Sequence, residues 1–95
     1  NTVTGVLGGA NDWKLYQFDV AQSGGVKITL DGPAGTDFDV YVFRGLRADA
    51  NAIVAAGESV DPDEVVTFTA APGQYSILVR SAEGAGRFVT APVTS

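Results

Sequence analysis

The chain contains no cysteine, no histidine and no methionine among its 95 residues. Without cysteine there are no disulfides, no thiol nucleophile and no thiolate metal site. Without histidine the commonest general base and the commonest imidazole ligand are both missing. Ser59 and Ser81 therefore have no imidazole to activate them, and nothing in the spacing sets Lys14 or Lys27 beside either one. Positive charge is also scarce: Lys and Arg number 6 against 11 Asp and Glu, a net charge of −5. Such a surface repels phosphate backbones and anionic lipid, so neither a nucleic acid nor a membrane is expected as a partner. No apolar run approaches the ~18 residues that span a bilayer, and no signal-peptide pattern is present. No glycine loop cradles phosphate either, because Gly84-Ala85-Gly86 is too short and lies between strand-like runs. The chain starts almost directly in a strand-like segment, which gives it the look of a piece of something longer.

What is present is β-patterning. Hydrophobic residues make up 45% and charged residues 18%, the balance of a globular chain, and twelve Gly punctuate it. One domain over residues 1–95 is expected. Short runs alternate apolar and polar residues at period two, and Gly, Pro, Asn or Asp separates them. The runs are Thr2 to Leu7, Trp13 to Val20, Val26 to Leu30, Phe38 to Arg44, Ile53 to Ala56, Glu64 to Ala70, Gln74 to Ser81 and Arg87 to Thr90. Between Leu46 and Ala52 a helical turn is an option, but a loop is the preferred reading. Glu83 to Gly86 suits a hairpin loop. Seven or eight strands at this spacing predict an all-β antiparallel sandwich, jelly-roll-like. Its inward side chains are expected to be Phe18, Val26, Ile28, Leu30, Val40, Val42, Phe68, Tyr75, Ile77 and Val79.

Three groups of residues could carry chemistry. Asp37 and Asp39 stand two apart on a strand, so their carboxylates share a face. Paired carboxylates can run acid–base chemistry or hold a hard cation; the plainer role is to accept backbone N–H groups where the loop enters the strand. Asp61, Asp63 and Glu64 form an acidic turn. Pro62 interrupts it and no glycine supplies a sharp calcium-loop bend, so a solvated turn is expected there. If Val40 and Val42 face the core, period two sends Tyr41 and Phe43 the other way, and Trp13 faces away from Tyr16. Outward aromatics stack on sugar rings or pack on extended polypeptide; otherwise loops or a neighbouring domain cover them, or twist buries them in a second small core.

Three segments together resemble a known family. They are Asn11-Asp12-Trp13-Lys14-Leu15-Tyr16-Gln17-Phe18-Asp19-Val20, then Asp37-Phe38-Asp39-Val40-Tyr41-Val42, then Pro72-Gly73-Gln74-Tyr75-Ser76-Ile77-Leu78-Val79, followed by Gly86-Arg87-Phe88. Their order is similar to that of the bacterial pre-peptidase C-terminal domain, whose pattern runs D-x-D-x-Y-x-F, D-x-D-L-Y-V, A-P-G-x-Y-x-x-x-V and a last G-x-Y/F strand. The resemblance implies a jelly-roll-like sandwich attached to a secreted bacterial hydrolase, often a protease, and not itself catalytic. Relatives at the end of clostridial collagenases bind collagen through exposed aromatics, and bind calcium near the domain's N-terminus. Here Lys14 stands where that pattern has its second Asp, and the acidic lead-in before the first strand is missing.

The function expected is thus a non-catalytic accessory domain that binds a polymeric substrate, anchors its parent catalytic domain or assists maturation. The alternatives are a carbohydrate-binding module, a structural or assembly spacer and, least of all, a small hydrolase. Trp13, Tyr41 and Phe43 are the candidate ligand-binding residues, and no catalytic residue is expected. No cofactor is expected; calcium, if bound at all, would draw on Asp12, Asp37 and Asp39, with little effect on stability.

Overall fold

A computed structural model describes residues 2–94 of the chain. Eight strands follow one another: β1 (Val3–Leu7), β2 (Trp13–Val20), β3 (Gly24–Asp31), β4 (Asp37–Arg44), β5 (Ile53–Gly57), β6 (Glu64–Ala70), β7 (Gly73–Glu83) and β8 (Gly86–Thr94). A single 3-10 turn, Ala50–Ala52, precedes β5, with Asp49 capping it through a side-chain bond to the Asn51 N–H. No helix among the described residues is long and apolar enough to cross a membrane.

The strands form two antiparallel four-stranded sheets, ordered β1-β8-β3-β6 and β2-β7-β4-β5. The pairing is nested: β4 pairs with β5, β3 with β6, β2 with β7 and β1 with β8. The chain is in effect one long hairpin folded across two layers, with β3–β8 and β4–β7 contacts closing each sheet. That is jelly-roll topology, as the spacing of the strands predicts.

Alternation explains why each strand has an inner face. Val26, Ile28 and Leu30 of β3 are buried and Lys27 between them is exposed. Phe38, Val40 and Val42 of β4 and Tyr75, Ile77 and Val79 of β7 meet them from the other sheet. Tyr16, Phe18 and Phe68 pack on this cluster while remaining partly exposed. Leu7, Val20, Phe38, Val66, Ala70 and Phe88 join the expected core. Phe88 lies edge-on to Tyr16 and Phe38, with ring centroids 6.1 and 6.3 Å away. Gly5 makes room for it: a Cβ there would stand 2.6 Å from the ring.

Two local readings change. Glu83 to Gly86 does not close a hairpin within one sheet: β7 belongs to the second sheet and β8 to the first, so the turn carries the chain between layers. β8 also continues past Thr90 to Thr94, through Pro92. Pro92 lies opposite Ile28 of β3, beyond the last β1 pair at Val3 and Thr90.

Candidate functional site

The outward face of the second sheet holds most of the candidate residues. Register places Trp13, Arg80 and Asp39 in one row across β2, β7 and β4, and Leu15, Leu78 and Tyr41 in the next. Trp13 is 56% exposed, while Leu15, Leu78 and Tyr41 are half-buried. Trp13, Leu15, Leu78 and Tyr41 make a continuous apolar strip with an aromatic group at each end, beside the charged Arg80 and Asp39. Tyr41 is anchored: its hydroxyl donates to Glu58 Oε2 at 2.8 Å. Burial first, then that bond, pushes the phenol up to about 12. It stays neutral and fixed, which lowers the entropy lost when something packs on it. Arg80 Nη2 donates to Asn11 Oδ1 at 2.6 Å, tying the β1–β2 turn to β7.

Phe43 departs from the expectation of an outward, accessible ring. It is only 4% exposed. The β4–β5 register shifts between Val42 and Phe43, where a bulge bends the edge, and the 3-10 turn lies against β4. Phe43 is thus buried outside the central cluster, opposite the buried Ser76 whose hydroxyl donates to the Gly45 carbonyl. It offers no surface to a ligand, which leaves Trp13 and Tyr41.

The second group lies where β4 begins. Asp37, Asp39 and Glu64 each bring a carboxylate oxygen within 4.8 Å of the others. Asp37 is half-buried, and Asp39 and Glu64 are each 6% exposed. Glu64 is not in a solvated turn with Asp61 and Asp63, as the sequence suggests. It is the first residue of β6, and its Oε2 accepts a bond from the Ser59 hydroxyl at 2.8 Å. Its carboxylate rests against Gly57, where a Cβ would stand 3.0 Å from Oε1. Asp63 keeps the expected turn role and accepts from the Gly32 N–H at 3.1 Å.

Two depressions on the surface lie away from these acids. One shallow depression of about 600 Å³ is lined by Lys27, Thr67, Phe68 and Val93 of the first sheet, and another of about 370 Å³ opens at Val3, Tyr16 and Pro92.

The family model for the bacterial pre-peptidase C-terminal domain matches residues 12–81. The chain belongs to that family. Domains of this kind are accessory modules of secreted proteases. Among solved structures, the pre-peptidase C-terminal domain of a collagenase from Bacillus anthracis superposes with a TM-score of 0.80 at 22% identity, covering 98% of this chain and 88% of the other. PliG of Aeromonas hydrophila, a periplasmic inhibitor of g-type lysozyme, gives 0.73 at 14% identity, covering 100% and 85%. A β-1,3-glucan-binding CBM6 from Bacillus halodurans gives 0.53 at 12% identity, covering 98% and 84%. At these identities the likeness is one of fold.

Asp12 in this pre-peptidase C-terminal domain is already committed to a turn. Its Oδ2 accepts from the Gly8 N–H at 2.8 Å and its Oδ1 from the Trp13 N–H at 2.9 Å. Those two bonds hold its carboxyl below the usual carboxylate range. Both Asp12 oxygens are thus engaged within the turn, and a lysine, Lys14, follows two residues on.

Asp39 behaves in the opposite way. Burial, then the charges of Asp37, Glu58 and Glu64, push its carboxyl up to about 6, while Arg80 pulls it down. The folded state holds the proton more tightly than the unfolded chain, whose Asp titrates near ~3.9. Stability from this group is complete below that value and lost as pH rises through about 6. Asp31, raised by its neighbour Asp63, adds a weaker slope of the same sign because it lies in solvent. In chelator, the melting temperature is expected to fall between pH 5 and pH 7.5, and Asp39→Asn to flatten most of that fall. A melting temperature that climbs over this interval would contradict the assignment.

Proposed function

We propose that this pre-peptidase C-terminal domain is a non-catalytic accessory domain of a secreted bacterial protease, holding its parent enzyme on an extended polypeptide substrate. The observation that carries the reading is the strip Trp13–Leu15–Leu78–Tyr41 on the outward face of the second sheet, with Trp13 exposed and the other three half-buried. An apolar strip running across three strands with an aromatic group at each end suits a long polymer better than a small molecule, which needs a concave site. Aromatic anchors also dominate binding energies at such surfaces. The family and the collagenase-domain likeness support the protease attachment.

The test is retention on insoluble collagen, cellulose, chitin and xylan. Retention on the fibrous protein is expected, and Trp13→Ala is expected to weaken it roughly tenfold or more, as loss of a hot-spot aromatic does. Tyr41→Ala should weaken it less, since Tyr41 is half-buried. Retention on a polysaccharide instead, lost in the same variants, would make the domain a carbohydrate-binding module. Failure to bind any polymer would leave it a spacer or assembly domain.

A further inference from the structure

The corner where β4 begins holds more negative charge than its surroundings balance. Asp37, Asp39 and Glu64 meet there with carboxylate oxygens no more than 4.8 Å apart, and Glu58 stands close enough to raise the carboxyl of Asp39. Arg80 on β7, the cation among the described residues that acts on Asp39, gives its Nη2 to Asn11. Burying like charges together is costly unless something compensates them. The hydrogen bonds do not: Oδ1 of Asp37 and Oδ1 of Asp39 are both buried and have no partner. Asp39 is more than nine-tenths buried, so water does not solvate that oxygen freely. This rules out the simplest structural role for the pair, in which those oxygens cap backbone N–H groups.

We propose that Asp37, Asp39 and Glu64 form a Ca²⁺ site that joins β4 of one sheet to β6 of the other. The donors are all carboxylate oxygens, the ligands a hard cation takes. Their spacing fits a single ion, because ligands on opposite sides of Ca²⁺ stand about 4.6–5.2 Å apart, twice the metal–oxygen bond. The site is prearranged: the Ser59 hydroxyl fixes Glu64, and Gly57 leaves the space its carboxylate occupies. The half-buried Asp37 side is open, so water completes the coordination shell. Calcium tolerates such an irregular shell of 6–8 oxygens, whereas Mg²⁺ demands a near-ideal octahedron. This site is distinct from the Asp12 turn and does not depend on what Trp13 binds. Sequence spacing pairs Asp37 with Asp39, but only the fold adds Glu64.

The whole chain is dialysed against EDTA, then melted and titrated calorimetrically with CaCl₂ and, separately, MgCl₂. Calcium at about a hundredfold excess over Kd is expected to raise the melting temperature by roughly 10 °C or more, with a one-site isotherm and a smaller response to Mg²⁺. Asp39→Asn and Glu64→Gln are each expected to lower calcium affinity at least tenfold. Asp39→Asn nearly preserves shape and removes a repelling charge, so in EDTA it should melt at or above the parent temperature. Its lost response then reports the site and not unfolding. No calcium response in the parent chain, or one that survives in both variants, overturns the proposal.

Discussion

Val42→Asp is expected to abolish the folded state. Val42 is fully buried on a central strand, with Ile77 beside it on β7 and Ala55 on β5. Its inward neighbours are aliphatic and aromatic, so a carboxylate there finds no donor. The loss of Val burial costs about 1.5–3 kcal/mol. Stranding a charge adds several kcal/mol more, or about as much again if the group buys neutrality by taking up a proton. Against a typical total stability of about 5–15 kcal/mol, the sum removes most or all of the margin. Circular dichroism should show no cooperative melt. Val60→Asp is the matched control: Val60 is 83% exposed, and a change within about 0.5 kcal/mol is expected. A Val42→Asp protein that melts like its parent would refute the β4 assignment.

Phe88→Ala should give the next largest effect, with the fold retained. Phe88 is fully buried, stands edge-on to two rings, and lies over Gly5. Truncating a buried Phe costs about 3–5 kcal/mol, part of it the cavity left behind. In a domain of this size that lowers the melting temperature by roughly 12 °C or more. The three rings share their contacts, so Phe38→Ala combined with Phe88→Ala should cost less than the two singles added together. A Phe88→Ala melting temperature within two or three degrees of the parent would mean that the ring is not enclosed as described.

Much of this architecture is legible in the amino-acid order because period-two alternation carries direct information about which side chain faces which way. In β3, Val26, Ile28 and Leu30 alternate with Lys27 and Thr29, and the outcome follows. The limits of β2 are read to the residue, since a glycine-rich turn stands on one side and Gln22-Ser23 on the other. The fold class and the family follow from the same regularity. What alternation does not contain is the partner of each strand. Glu83 to Gly86 announces a reversal of direction, which a hairpin and a crossover between layers share. The last run reads as ending at Thr90, yet β8 continues to Thr94 because β3 pairs with it past the end of β1.

The candidate site divides along the same line. Trp13 and Tyr41 lie on the outward face as alternation requires, but Phe43 shares their parity and is buried. Its burial comes from a bulge and a neighbouring turn, and neither is written in the local pattern. Glu64 reads as part of an acidic loop until the nested pairing brings the start of β6 to the start of β4. The clue that could have separated it from Asp61 and Asp63 is its parity with Val66, Phe68 and Ala70, all inward residues of the same strand.

The nested pairing also dictates an order of events in time. Only β4 and β5 can find each other across a short loop. Every other pair has to wait for longer stretches of chain, and β1 cannot settle until β8 exists, since Leu7 seeks Gly86 and Val3 seeks Thr90. A ribosome delivers β1 first and β8 last, so the earliest segment made is the last to find its place. Such non-local topologies reach the native state in milliseconds to seconds, not microseconds. In the interval the unpaired β1 edge, with Val3, Val6 and Leu7 uncovered, is where the newborn protein is most open to capture by a chaperone or by another copy of itself.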